Sequence, residues 1–196
     1  MTGFARPELI ATPDWLAEHL GRADLRVLDV RWRPDGTAGA LFGRGHVPGA
    51  VHVDWRASLV DTTDAGDVLL IAPPEQVAAT LGAAGVGDGT TVVVYDDTLG
   101  LYASRAWWTL RAYGFDAVRV LDGGYPAWED DGHPVSSAHD AVAPATFTPR
   151  AQSWLRLTTP DVRSLLGTPD VLLVDARGPA EFHGFEGNAR RLGHIP

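Results

Sequence analysis

Residues 91–114 read TVVVYDDTLGLYASRAWWTLRAYG, and the fold turns on how this run divides. Thr91 to Tyr95 is β-branched and ends in an aromatic ring, the composition of a buried strand. Asp96 and Asp97 end the apolar run and Gly100 marks a loop. From Tyr102 to Tyr113 the chain is rich in Ala, Arg and Trp and reads as a helix. Open α/β sheets place their chemistry in loops of this kind, where a strand feeds a helix. The Asp96 loop is therefore an active site, a relic of one, or a helix cap.

Working outward, the same alternation recurs. Residues 25–32 (LRVLDVRW), 50–55 (AVHVDW) and 117–124 (AVRVLDGG) read as further strands. Helical windows lie at Pro13–Leu20 and Pro74–Leu81. Short apolar strands alternating with helices predict a mostly parallel sheet covered on both faces. Gly123-Gly124 suits a tight turn or positive φ. Residues 143–155 (APATFTPRAQSWL) have the composition of a linker.

Beyond that linker the pattern restarts. Thr12-Pro13-Asp14 returns as Thr159-Pro160-Asp161, each read as a Thr N-cap followed by Pro and an acid. Leu28-Asp29-Val30-Arg31 returns as Val174-Asp175-Ala176-Arg177, and Gly45-His46-Val47-Pro48 as Gly193-His194-Ile195-Pro196. Three matches in order, all spaced by about 147 residues, indicate a duplicated domain. The expected organisation is a whole domain over residues 1–142, a linker over 143–155, and the incomplete start of a second copy over 156–196. The sequence reads as truncated within that copy.

Composition narrows the chemistry. The chain has 196 residues, a net charge of −9 and no cysteine. All 16 of its Lys+Arg residues are arginine. The missing residues exclude a thiol nucleophile, a disulfide, a P-loop lysine and a Schiff base within these residues. No basic stripe points to nucleic acid, no apolar run suits a membrane span, and a cytoplasmic location is expected. The histidines and acids do not cluster at metal-ligand spacing, so neither a metal nor another cofactor is expected. His46 and His194, in matching turns, read as architectural. His133 and His139 read as solvated, and Trp107 and Trp108 as core and interface residues.

Taken together, VLDVRW, GRGHVPGAVHVDW, VVVYDDTLGLYASRAWWTLRAYGF, VRVLDGGYPAWEDDGHPV and LLVDARGPAEFHG…GHIP resemble the two-domain rhodanese sulfurtransferases, in that family's order. The resemblance implies two similar α/β domains, each a five-stranded parallel sheet between helices. It also implies a cysteine nucleophile in the second domain, in the loop after the strand that corresponds to Thr91–Tyr95. Asp96 stands at that position here, so the first domain has the shape of the site without its reactive atom. The implied activity moves sulfane sulfur from thiosulfate or 3-mercaptopyruvate to cyanide or a thiol through a cysteine persulfide. The implied partners are thus a small anionic donor and a thiol or cyanide acceptor. Trp32 and Leu101 are implied to border the pocket, and Arg190 to hold the substrate's anionic group. Glu181 stands where mercaptopyruvate enzymes carry a second Arg, which favours thiosulfate. Arg177, like Arg31, is expected to pair with a nearby acid. Two other readings stay open: a binding or regulatory module without chemistry, and a phosphoryl-transfer enzyme using Asp96. The second usually needs acids two apart and a lysine, both missing here.

Overall fold

A computed structural model describes residues 5–61, 63 and 69–185. Five strands form one parallel sheet: β1 (Ile10–Ala11), β2 (Leu25–Asp29), β3 (Ala50–His52), β4 (Thr91–Tyr95) and β5 (Val118–Leu121), in the order β1-β5-β4-β2-β3. The central strand is β4, whose Val92 to Tyr95 are fully buried. An unbroken apolar run is what a strand needs when helices cover both of its faces.

The alternation of side chains along the strands builds two cores. Leu28, Val92, Val94 and Val118 face α4 (Pro74–Ala83) and α5 (Leu101–Ala112), packing with Val77, Leu81, Ala106 and Leu110. Val27, Val93, Tyr95 and Leu121 face α1 (Pro13–His19), α2 (Ala38–Arg44) and α6 (Gly124–Asp130), packing with Leu16, Phe42, Tyr125 and Trp128. A short α3 (Trp55–Ser58) is capped by Asp54, which accepts from the Arg56 and Ala57 amides. It cuts the expected 50–55 strand to three residues. The two-residue β1 and the helices α2, α3 and α6 add to the elements read from sequence.

Residues up to Arg156 and residues from Leu157 onward form two compact units. In the first, the 143–155 stretch is a strap held by backbone bonds from the amides of Ala145, Arg150 and Gln152 to Gly82, Tyr113 and Ala112. Its Phe147 is buried beside Phe115. In the second unit, α7 (Thr159–Leu165) and α8 (Pro179–Phe182) form. The N-cap of α7 is Thr158, one residue before the expected Thr159. Thr158 and Asp161 close a capping box there, which places Pro160 in the first turn. Residues 171–177 form no strand. The Arg177–Asp175 pair does form, with Arg177 Nε 2.9 Å and Nη2 2.6 Å from the carboxylate. Among the described residues no helix is long and apolar enough to cross a membrane.

Candidate functional site

The connection after β2 leads to α2 on one face, and the connection after β4 leads to α5 on the other. Between the carboxyl ends of β2 and β4 lies the topological switch point, where open α/β sheets bind ligands. The Asp96 loop and Trp32 both sit there.

Asp96 is fully buried. Its Oδ1 accepts from the amides of Thr98 and Gly100, each at 2.9 Å. Its Oδ2 accepts from Tyr102 at 2.7 Å and Ala103 at 2.9 Å. Four backbone N–H groups thus converge on one carboxylate at the positive end of α5. Gly100, the N-cap, has no side chain with which to cap this helix, and Asp96 caps it from four residues upstream. Gly100 lies at φ 83° and Leu99 at φ 55°, a left-handed pair that turns successive amides inward. The loop is clamped from the far side by Tyr125, whose amide donates to the Asp96 carbonyl at 2.8 Å. A Cβ on Gly124 would lie 2.4 Å from that same oxygen, and Gly124 itself has φ 63°. Positive φ is therefore found at both Gly123 and Gly124, as their sequence suggests.

Asp97 does not cap. It forms a forked pair with Arg33, with Nη1 at 3.0 Å and Nη2 at 2.6 Å. The hydrogen bond to Asp97 raises the pKa of Arg33 above its usual value. This pair ties the loop after β2 to the loop after β4 across the switch point. Sequence reading missed it because the partners are 64 residues apart. A cation just after the first strand of such a pair is the only local hint.

Trp32 is half-buried and packs edge-on to Trp55 and Tyr102, with ring centroids 6.1 and 5.8 Å away. The Arg56 guanidinium lies 5.7 Å over its ring. Leu101 opens α5 with its side chain largely exposed, and Leu99 beside it is fully exposed. Trp32, Leu101 and the cradle thus share the carboxyl end of the sheet. Arg190 and His194 lie outside the described residues.

The other singled-out residues have structural partners. His46 is buried, bonds Phe42 O through Nδ1 at 2.8 Å and stacks on the Phe42 ring. His133 is not solvated as expected: it stacks on Trp128 with Nε2 3.3 Å from Asp14. His139 is exposed. Trp107 and Trp108 pack against the core from α5, and Trp108 donates to Leu155 O at 3.2 Å. Behind the site, Arg31 grips Asp29 through Nε and Nη2 and also donates to Gly45 O. Tyr95 donates to Asp29 at 2.8 Å. Burial pushes the Tyr95 hydroxyl well above its usual pKa.

Comparison with known proteins agrees with this geometry. The rhodanese-like domain family matches residues 12–131. Thiosulfate sulfurtransferase of Gallus gallus is 36% identical over 197 residues, covering 95% of this chain and 67% of that protein. A probable 3-mercaptopyruvate sulfurtransferase of Pseudomonas aeruginosa is 33% identical over 193 residues, covering 95% of this chain and 68% of its own length. Among solved structures, Escherichia coli SseA, a 3-mercaptopyruvate sulfotransferase, superimposes with a TM-score of 0.85 at 29% identity. The match covers 96% of this chain and 72% of that one.

Proposed function

The chain belongs to the rhodanese family, and on that premise we propose that it supplies the non-catalytic half of a sulfurtransferase. In this reading residues 1–142 are a first repeat whose cradle holds a carboxylate in place of a sulfur atom. Residues 143–155 link it to the opening of a second repeat from 156 onward. The sulfur-carrying thiol comes from outside these 196 residues, which contain no cysteine. A thiolate there attacks the outer sulfur of thiosulfate, the S–S bond breaks, and sulfite leaves with the electron pair. The resulting persulfide then passes its outer sulfur to cyanide or a thiol, and the thiolate is regenerated.

One observation carries the reading: four backbone amides at the end of β4 converge on Asp96. Such a cradle favours an anion, and in a catalytic copy it would hold a thiol as thiolate. Here the carboxylate uses all four donors and is sealed from solvent, so it offers no nucleophile to a phosphate or a sulfur. Trp32 and Leu101 form the apolar border of the pocket, and Arg190 takes the donor's anionic group. Glu181 in place of a second arginine favours thiosulfate as the donor. The purified chain, given thiosulfate and cyanide, is expected to release thiocyanate no faster than buffer does. Enzymatic turnover that disappears in Asp96→Asn would overturn this assignment.

A further inference from the structure

A second cleft lies at the other end of β2, away from Asp96. It exists because β3 joins β2 only from Val27 onward, where Val27 pairs with Ala50, while β4 flanks β2 from Leu25. The gap of about 310 Å³ is walled by Leu20, Leu25, Val27, Pro48 and Val142, with Arg26 among them. This is at the lower end of the range for small-molecule sites, roughly 300–1,000 Å³. The walls are aliphatic, and no aromatic ring is present to stack a base or a sugar.

Arg26 is the unusual member. Its Nη1 donates to the carbonyls of Ala23 at 3.1 Å and Leu25 at 2.7 Å, which fixes the guanidinium in place. Its Nε is buried and has no acceptor. Among the described residues no carboxylate lies within ion-pair distance of it, although eight other His or Arg groups have such a partner. Arg22, which also lines the cleft, is neutralised by Asp24 at 2.9 and 2.8 Å. Gly85 gives the guanidinium room, since a Cβ there would lie 2.7 Å from Nε and 2.3 Å from Val142 Cγ1. A buried donor left without an acceptor costs stability, so native proteins satisfy nearly all of them.

We propose that this cleft binds a small aliphatic carboxylate, with its anionic group on Arg26 and its alkyl chain against Leu20, Leu25, Val27, Pro48 and Val142. A planar guanidinium fixed in an apolar wall suits a carboxylate, which can take two of its N–H groups at once. The assignment does not rest on the sulfurtransferase reading, because the cleft and the Asp96 cradle are at opposite ends of the sheet.

Calorimetric titration of the whole chain with hexanoate tests it, with hexanol and inorganic phosphate as controls. Hexanoate is expected to bind with a Kd of about 1 mM, typical of a ligand of its size. Arg26→Met keeps the aliphatic stem and is expected to weaken binding about tenfold or more, through loss of the charge-assisted bonds. Val142→Phe leaves Arg26 in place but fills the cleft, and is expected to abolish binding. Hexanol and phosphate, each having half of the recognised chemistry, are expected to bind at least about tenfold more weakly. No saturable hexanoate binding, binding that survives both substitutions, or hexanol binding as tightly as hexanoate would overturn the proposal.

Discussion

Asp29 sits fully buried with Arg31, whose side chain is 4% exposed, and the pair shows how one residue can decide a charge state. Burial alone would push the Asp29 carboxyl up. Hydrogen bonding and the charge of Arg31, with His52 3.9 Å away, outweigh it and hold the carboxyl below its usual value. A carboxyl whose pKa is lower in the folded state contributes stability above the unfolded value of about 3.9, and that contribution is lost as pH falls through the folded value. Arg31→Met reverses the balance by leaving a buried carboxylate without its cation. We expect it to cost about 3–5 kcal/mol at pH 7, the range for breaking a buried pair from one side. The cost should shrink as pH falls, because the variant's buried carboxyl, raised by burial without its cation, takes up a proton and then needs none. Urea unfolding of both proteins at pH 7 and pH 3.5 measures this. An equal penalty at both pH values would mean that Arg31 acts by packing alone. Asp96 is different, because backbone amides rather than a cation face it. Its role was legible in the sequence as an acid at the end of a β-branched run. The Arg33–Asp97 clamp was not, since it depends on β2 and β4 becoming neighbours.

At the scale of elements, the strap over residues 143–155 carries more weight than its Pro-, Ala- and Thr-rich composition suggests. Phe147 is 5% exposed and joins the core on the α4–α5 face. Asp88 receives the Thr148 amide at 2.7 Å, and Ala145 and Arg150 bond the ends of α4 and α5. We expect Phe147→Ala to cost about 3–5 kcal/mol, as for other buried aromatic truncations. Trp154→Ala, seven residues on and 68% exposed, should cost less than about 1 kcal/mol. Denaturant midpoints compare the two, and equal costs would show the strap to be only a tether. Four strands were legible as short apolar runs: β2, β4 and β5, and β3 within the expected 50–55 stretch. The two residues of β1 are too short for any periodicity, and β1 exists because β5 offers it an edge. The reading also missed α2, because Gly39 and Gly43 lower its helix propensity, and α6, which opens Gly-Tyr-Pro behind a Gly N-cap. Both are helices because Phe42, Tyr125 and Trp128 are buried against β2 and β4. Tertiary packing overrides local preference in each.

Across the whole molecule, one sequence pattern occurs twice and gives two outcomes. Near the first copy's Asp29–Arg31 clasp, Leu28 and Val30 are buried in the sheet. In the matching stretch the clasp closes just as tightly at Asp175–Arg177, yet Leu172 and Val174 are 85% and 76% exposed. The clasp spans two residues and needs only the local chain. The strand needs β-neighbours far away in sequence, whose counterparts are not among the described residues. The capping box of α7 is likewise local and complete. Local motifs therefore form wherever their short sequence pattern occurs, whereas burial depends on the sheet assembled around them. Among described residues 157–185 none is buried, so little apolar area opposes local opening there. We expect the amides of α7 and α8 to exchange with deuterium within about seconds to minutes at neutral pH, while those of Val92–Tyr95 exchange only through global unfolding. Mass spectrometry on peptic fragments reads both at once. Protection of 171–177 equal to that of β4 would show that the second copy forms a sheet of its own in solution, and that the clasp there is as much a part of a packed core as the one at Asp29.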